Sequence, residues 1–108
     1  YLETSGSCAV AYSLMKGQRL GILEDVSYDQ GLEILESVVK EKLSLENGEF
    51  VLRDICLVAG LGGMNGKGDY KVRDGSLAYY FSEPKVKNDA KGVAPFIFAY
   101  TETLKHKK

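Results

Sequence analysis

Thr4-Ser5-Gly6-Ser7-Cys8-Ala9-Val10-Ala11-Tyr12-Ser13-Leu14-Met15 is a helix-length segment without a single charged side chain. It is apolar or small on every face. A helix of that kind is buried all round, and its small residues let neighbouring backbones come close. Thr4 or Ser5 can cap its start, and Lys16-Gly17 with Arg19 supplies a C-terminal stop. The fold must therefore provide cover on more than one side of this segment.

Downstream the pattern changes. Ser27-Tyr28-Asp29-Gln30 has the form of a capping box, and Tyr28, Leu32, Leu35, Val39 and Leu43 then recur at helical spacing. Glu33, Glu36, Lys40 and Glu41 lie off that stripe, with Glu36 and Lys40 spaced as a favourable i, i+4 pair. This predicts an amphipathic helix over 27–46 with one wet face, ended near Asn47-Gly48. Glu49 to Arg53 reads as a short extended segment. Gly60 to Gly75 contains six glycines and predicts a loop or hairpin excursion. Leu77 to Phe81 favours an extended aromatic strand, because Tyr79, Tyr80 and Phe81 suit a pleated surface. Pro84 breaks it. A last helix is expected over 92–105, with Pro95 tolerated in its first turn, where backbone N–H groups have no intrahelical partner.

The expected architecture is mainly α, with principal helices over 4–17, 27–46 and 92–105 and a non-helical excursion over 48–88. An all-apolar helix alternating with an amphipathic one is what two concentric rings of helices require. Three helices cannot cover the Thr4–Met15 segment fully, so partner surface is expected from upstream sequence or from a second copy.

Composition narrows the function classes. The chain has 108 residues, 44% apolar and 27% charged, which is globular rather than disordered and fits one domain or less. Fourteen basic and fifteen acidic residues give a net charge of -1, so no overall basic field points to nucleic acid. No apolar run approaches the roughly 18 residues of a membrane span. The Lys105-His106-Lys107-Lys108 tail reads as a solvated helix end. Cys8 and Cys56 read as two buried free thiols, with a disulfide possible but not implied. No initiator Met or signal peptide stands at Tyr1, which fits a fragment and leaves the compartment unassigned.

The obvious site motifs fail on spacing. Gly66-Lys67 would need Gly at 61 and Ser or Thr at 68 for a phosphate loop, but the chain has Leu61 and Gly68. Gly60-x-Gly62 is followed by Asn65, so the dinucleotide fingerprint fails too. His106 is the single histidine, so no metal set and no Ser-His-Asp arrangement can be assembled on it. Glu3, Asp54, Asp69, Asp74, Glu83 and Asp89 remain as carboxylates near turns or helix starts, where each reads first as a cap or turn former.

Three stretches carry a family resemblance. They are Glu3-Thr4-Ser5-Gly6-Ser7, Val58-Ala59-Gly60-Leu61-Gly62, and the run from Arg73-Asp74-Gly75-Ser76 through Tyr79-Tyr80-Phe81-Ser82-Glu83-Pro84 to Asn88-Asp89-Ala90-Lys91-Gly92-Val93. Together they resemble the C-terminal part of the unsaturated uronyl hydrolases, glycoside hydrolase families 88 and 105, and most closely the rhamnogalacturonan type of family 105. The resemblance implies a C-terminal segment of an (α/α)6 barrel, with 1–108 as a single partial domain of a longer enzyme. Such an enzyme removes an unsaturated uronic acid from the non-reducing end of a pectin- or glycosaminoglycan-derived oligosaccharide. An Asp protonates the 4,5 double bond and assists addition of water at C5, without metal or organic cofactor. That Asp has no counterpart here, so no catalytic residue is assigned and the chain alone is expected to be inactive. The resemblance assigns pocket wall instead: Glu3, Thr4, Ser5 and Ser7 at one inner-helix start, and Asn88, Asp89, Lys91 and Gly92 at the next. Ala78 stands where the family usually has a larger polar residue, and the Met64–Lys71 excursion is longer than is common.

The expected partner is an oligosaccharide substrate in the parent enzyme, with no nucleic acid, no membrane, and self-association available through the exposed inner helix. The competing expectation is a non-catalytic helical module that binds carbohydrate or another protein.

Overall fold

The computed structural model describes residues 1–106. Lys107 and Lys108 of the basic tail lie outside the described residues. The elements in chain order are α1 (Thr4–Arg19), α2 (Val26–Lys42), β1 (Leu43–Glu46), β2 (Glu49–Leu52), β3 (Ile55–Cys56), α3 (Leu77–Ser82), β4 (Lys85–Val86) and α4 (Ala90–His106). β1 pairs antiparallel with β2, Leu43 opposite Leu52, and β3 pairs antiparallel with β4, Ile55 opposite Val86.

α1 is central, packed on α2 along one side and on α4 along the other. It buries Thr4, Cys8, Ala11 and Met15, residues at four-, three- and four-residue steps along one stripe. Close approach on the α2 side depends on Gly31, where a Cβ would lie 2.7 Å from the Ala11 carbonyl oxygen. Ala11, Met15, Tyr28, Leu35 and Ala99 form one apolar cluster; Cys8, Val38, Leu52 and Ile55 form the other. Burying each Val- or Leu-sized side chain contributes about 1.5–3 kcal/mol. Arg19 donates through Nε and a terminal nitrogen to both carboxylate oxygens of Glu102, at 2.7 and 2.9 Å, tying the end of α1 to α4.

The body is flat, 50 × 38 × 18 Å, and its 15.7 Å radius of gyration exceeds the about 13 Å of a compact chain this long. The opposite face of α1, with Gly6, Ala9, Val10 and Ser13, is exposed. The central helix is thus covered on one stripe and not all round, as expected where three helices cannot enclose it.

Several boundaries differ from expectation. α1 is capped by Glu3, not by Thr4 or Ser5, and runs through Gly17 to Arg19. Gly21, at φ +74, makes the turn that follows. The Ser27–Gln30 capping box does not form: α2 begins at Val26, and no side-chain cap bond is made at Asp25. Residues 43–46 leave the helix to form β1, because Asn47 and Gly48, at φ 52 and 80, close a two-residue hairpin. That hairpin seats Leu52 against Val38 and Cys8.

The excursion is not entirely non-helical. Leu77–Ser82 is a short helix capped by the Ser76 hydroxyl, which accepts from the Tyr79 N–H. A strand would have turned Tyr79 and Phe81 to the same side; here Tyr79 is buried and Phe81 is exposed. Pro95 lies in the second turn of α4, not the first. Both cysteines are free, with Cys8 buried and Cys56 half-buried. Burial pushes the Cys8 thiol up to about 12, helped by the Glu3 charge, and keeps it in the neutral form.

Candidate functional site

The N-terminal ends of α1 and α4 flank the β3–β4 ribbon, and a cleft of about 540 Å³ opens beside it. Glu3, Ser5, Cys56, Leu57–Ala59, Tyr80 and Lys91 line this cleft. Of the eight wall residues expected from sequence, the fold brings Glu3, Ser5 and Lys91 to this one cavity.

Glu3 is the hub. Its Oε1 accepts from the Ser5 hydroxyl and the Gly6 N–H, both at 2.6 Å, and its Oε2 accepts from the Cys56 N–H at 2.7 Å. Burial pushes its pKa up, but these donors outweigh burial and hold the carboxyl below its ordinary range. A carboxylate so fully engaged fixes geometry and contributes negative charge; it is not set up as a proton donor. Lys91 brings the cation. Its side chain is more than half exposed, and its ammonium sits 3.0 Å from Asp89. The Asp89 carboxylate also accepts from the Lys91 N–H at 2.9 Å, so Asp89 both caps α4 and aligns the lysine. Those hydrogen bonds from Lys91 lower the Asp89 pKa.

The other expected residues are occupied elsewhere. The Thr4 hydroxyl is fully buried and donates to the Arg53 carbonyl, while the Thr4 N–H donates to the Asp54 carbonyl. The Ser7 N–H donates to the Glu3 carbonyl within the first turn of α1. Asn88, at φ 60, accepts from the Leu52 N–H at 2.8 Å and lines a different, apolar groove on the far side of α4. Gly92 is a packing glycine: a Cβ there would lie 2.5 Å from Ile55. Asn88 and Gly92 thus tie α4 to the two ribbons and thereby set where Lys91 stands.

Sequence reasoning did not single out Tyr80, Cys56 and Leu57–Ala59 as site residues. Tyr80 stacks on Tyr1 with ring centroids 6.0 Å apart and planes within 10°. Lys85 lies over the Tyr1 ring at 4.7 Å. The advance signals were the aromatic run itself and the Val58–Gly62 stretch that carries part of the resemblance. Chemically, the cleft offers a flat aromatic surface, a cation, hydroxyls and an anchored carboxylate, which together suit a polar ring bearing an acid group.

The family model for Glycosyl Hydrolase Family 88 matches residues 1–107. The chain belongs to glycosyl hydrolase family 88. The family 88 chain is 41% identical over 109 residues to Protein Atu3128 of Agrobacterium fabrum, and equally to the 24.9 kDa protein in the picA locus of Rhizobium radiobacter. Each alignment takes in 96% of this chain and 45% of the relative. A solved glycoside hydrolase from family 105 of C. acetobutylicum ATCC 824 superposes with a TM-score of 0.82 at 44% identity, over 94% of this chain and 27% of that one. The chain therefore spans less than half the length of the curated relatives it matches. Its mainly helical layer is part of an (α/α)6 barrel, and its family is one of glycosidases.

Proposed function

We propose that this chain forms the C-terminal wall of the substrate pocket in a longer family 88/105 enzyme. That enzyme removes an unsaturated uronic acid from pectin- or rhamnogalacturonan-type oligosaccharides by hydrating the 4,5 double bond. The observation that carries the proposal is the convergence of Glu3, Ser5, Tyr80 and Lys91 on one cleft at the N-terminal ends of two helices. Lys91 meets the sugar carboxylate, and the Tyr80 ring supplies a face for the sugar. Ser5 and Glu3 hold the cleft polar and keep its charge fixed. The carboxylic acid that protonates the double bond comes from inner-helix loops outside these 108 residues, so this segment supplies positioning only.

The test is loss of the double bond's ultraviolet absorbance with an unsaturated rhamnogalacturonan disaccharide. The parent enzyme is expected to consume it, and the 108-residue chain alone is expected to match a buffer blank. Turnover proportional to the concentration of the isolated chain would show that the proton donor lies within it. No turnover by the parent enzyme would remove the proposed substrate. The runner-up is a carbohydrate-binding or interaction module, which the open face of α1 favours. An upstream reading frame that continues into helical repeats with an Asp-bearing loop supports the enzyme, and an immediate start codon supports the module.

A further inference from the structure

We infer that Glu83 is the positioning residue of the cleft: one buried carboxylate, outside the pocket, that holds two of its walls together. The inference rests on the cleft being the substrate site. The Glu83 side chain is fully buried, which for a carboxylate demands partners on both oxygens. It has them. Oε1 accepts from the Gly66 N–H at 2.6 Å; Oε2 accepts from Arg73 Nε at 3.0 Å and from the Tyr79 hydroxyl at 2.5 Å.

Each partner leads to the cleft rim. The Tyr79 hydroxyl accepts from the Gly60 N–H at 3.0 Å, and Gly60 directly follows the lining segment Leu57–Ala59. At the other end of that segment, the Leu57 N–H donates to the Pro84 carbonyl at 3.0 Å, next to Glu83. In between, a Cβ on Gly66 would sit 3.2 Å from Glu83 Oε1, 3.3 Å from Pro84 and 3.4 Å from Val58, so this glycine is seated on the rim. The second wall is Tyr80, adjacent to Tyr79 on α3. The glycine-rich loop, the rim segment and α3 thus meet at one side chain. Asn65 reinforces the joint, its amide donating to the Ser82 carbonyl and hydroxyl at 3.1 and 2.9 Å.

In Glu83→Gln, an amide N–H faces either the Gly66 N–H or the Arg73 N–H, and at least one of the three hydrogen bonds the carboxylate accepts is lost whichever way the amide turns. The rim and Tyr80 then lose their fixed separation while Lys91 and Glu3 stay in place. The substrate is held less well, but the reacting end, built from other loops, is unchanged. The signature is a rise in KM of about tenfold with kcat within about twofold, the pattern of binding lost equally from ground and transition states and the size of one hydrogen bond to a charged group. A role in folding alone would lower the active fraction, and hence apparent kcat, at constant KM.

The experiment pairs kinetics of the parent enzyme on the unsaturated disaccharide with hydrogen exchange at Gly60 and Gly66. Tyr79→Phe is the milder companion should Glu83→Gln fold poorly. It removes the hydroxyl's bonds to Glu83 and from the Gly60 N–H, and is expected to lose protection at Gly60 but not at Gly66 and to raise KM about threefold. Lost protection with raised KM supports the inference. Unchanged protection in both variants overturns the clamp, and lost protection with unchanged KM overturns its role in binding. Should the wild-type enzyme ignore the sugar, the proposed substrate fails, and the exchange data still decide whether Glu83 holds the rim.

Discussion

The helical layer and the 57–86 excursion are held together by opposite means. Between α1 and α2, contact is made by small residues and apolar stripes: Gly31 against the Ala11 carbonyl, and Met15, Leu35 and Val38 in the interior. In the excursion, only Tyr79 is a buried apolar side chain; the remaining joints are Asn65, Glu83 and backbone bonds. A glycine in the layer is there to remove volume. Most glycines of the excursion serve the path of the chain, as Gly62, Gly63 and Gly68, all at positive φ, illustrate. The comparison teaches that the same residue type is intolerant in one region for reasons of space and in the other for reasons of backbone angle.

The sharpest test of that contrast is Gly31→Val. The new Cβ would lie 2.7 Å from a backbone oxygen that cannot swing aside, and overpacking of this kind costs about 3 kcal/mol. A urea midpoint within error of wild type would break the comparison at its foundation. Next in size is Glu102→Ala. It removes both bonds to Arg19 from a side chain that is 3% exposed, and the expected loss is about 2 kcal/mol, read from the same midpoint.

Acid should find the polar joints first. Hydrogen bonding by Arg19 holds the Glu102 carboxyl below its ordinary range. For Glu83, burial pushes upward but the bonds from Tyr79, Gly66 and Arg73 outweigh it. A carboxyl lowered in the folded state stabilises fully above its unfolded value of about 4.3, and that contribution is lost as pH falls through the folded value. The melting temperature is therefore expected to hold steady from neutrality down to about pH 4.5 and then fall. Glu102→Gln should flatten the acid limb, and an unchanged limb would show that other groups govern it.

Smaller effects separate the cap from the cleft. Asp89→Ala should lower the melting temperature by a few degrees through loss of its cap on α4. Lys91→Ala should leave the melting temperature nearly unchanged and raise KM for the acidic oligosaccharide. If both substitutions alter stability and neither alters KM, Lys91 does not face the substrate. The smallest effect belongs to Gly60→Ala, where the added methyl meets nothing within 4 Å and φ is not positive; a shift within about 0.5 kcal/mol is expected.

Much of the layer was legible because its signals are local. The uncharged Thr4–Met15 run, the 27–43 stripe and the last helix are each written within one element, at a period that side-chain geometry dictates. The candidate cleft was legible in part. Glu3, Ser5 and Lys91 sit at helix starts that turn signals mark, and the fold brings them to one cleft. Thr4, Asn88 and Gly92 are neighbours of those residues in sequence, but their side chains or backbone are used between elements, against Arg53, Leu52 and Ile55.

By itself, then, the sequence determined the helical class, the family, and the demand for cover on a helix with no wet face. Tertiary structure decided where the 43–52 hairpin, whose turn Asn47-Gly48 marks locally, is seated, and that Leu77–Ser82 coils instead of extending. It also decided that Glu83 is a buried joint and not merely a turn former. In each case the deciding partner lies across the fold: Leu52 seated on Val38 and Cys8, Tyr79 gripping Gly60, and Gly66 and Arg73 closing on Glu83. Local propensities for helix and strand differ by less than about 1 kcal/mol per residue, and one such non-local contact is enough to reverse them.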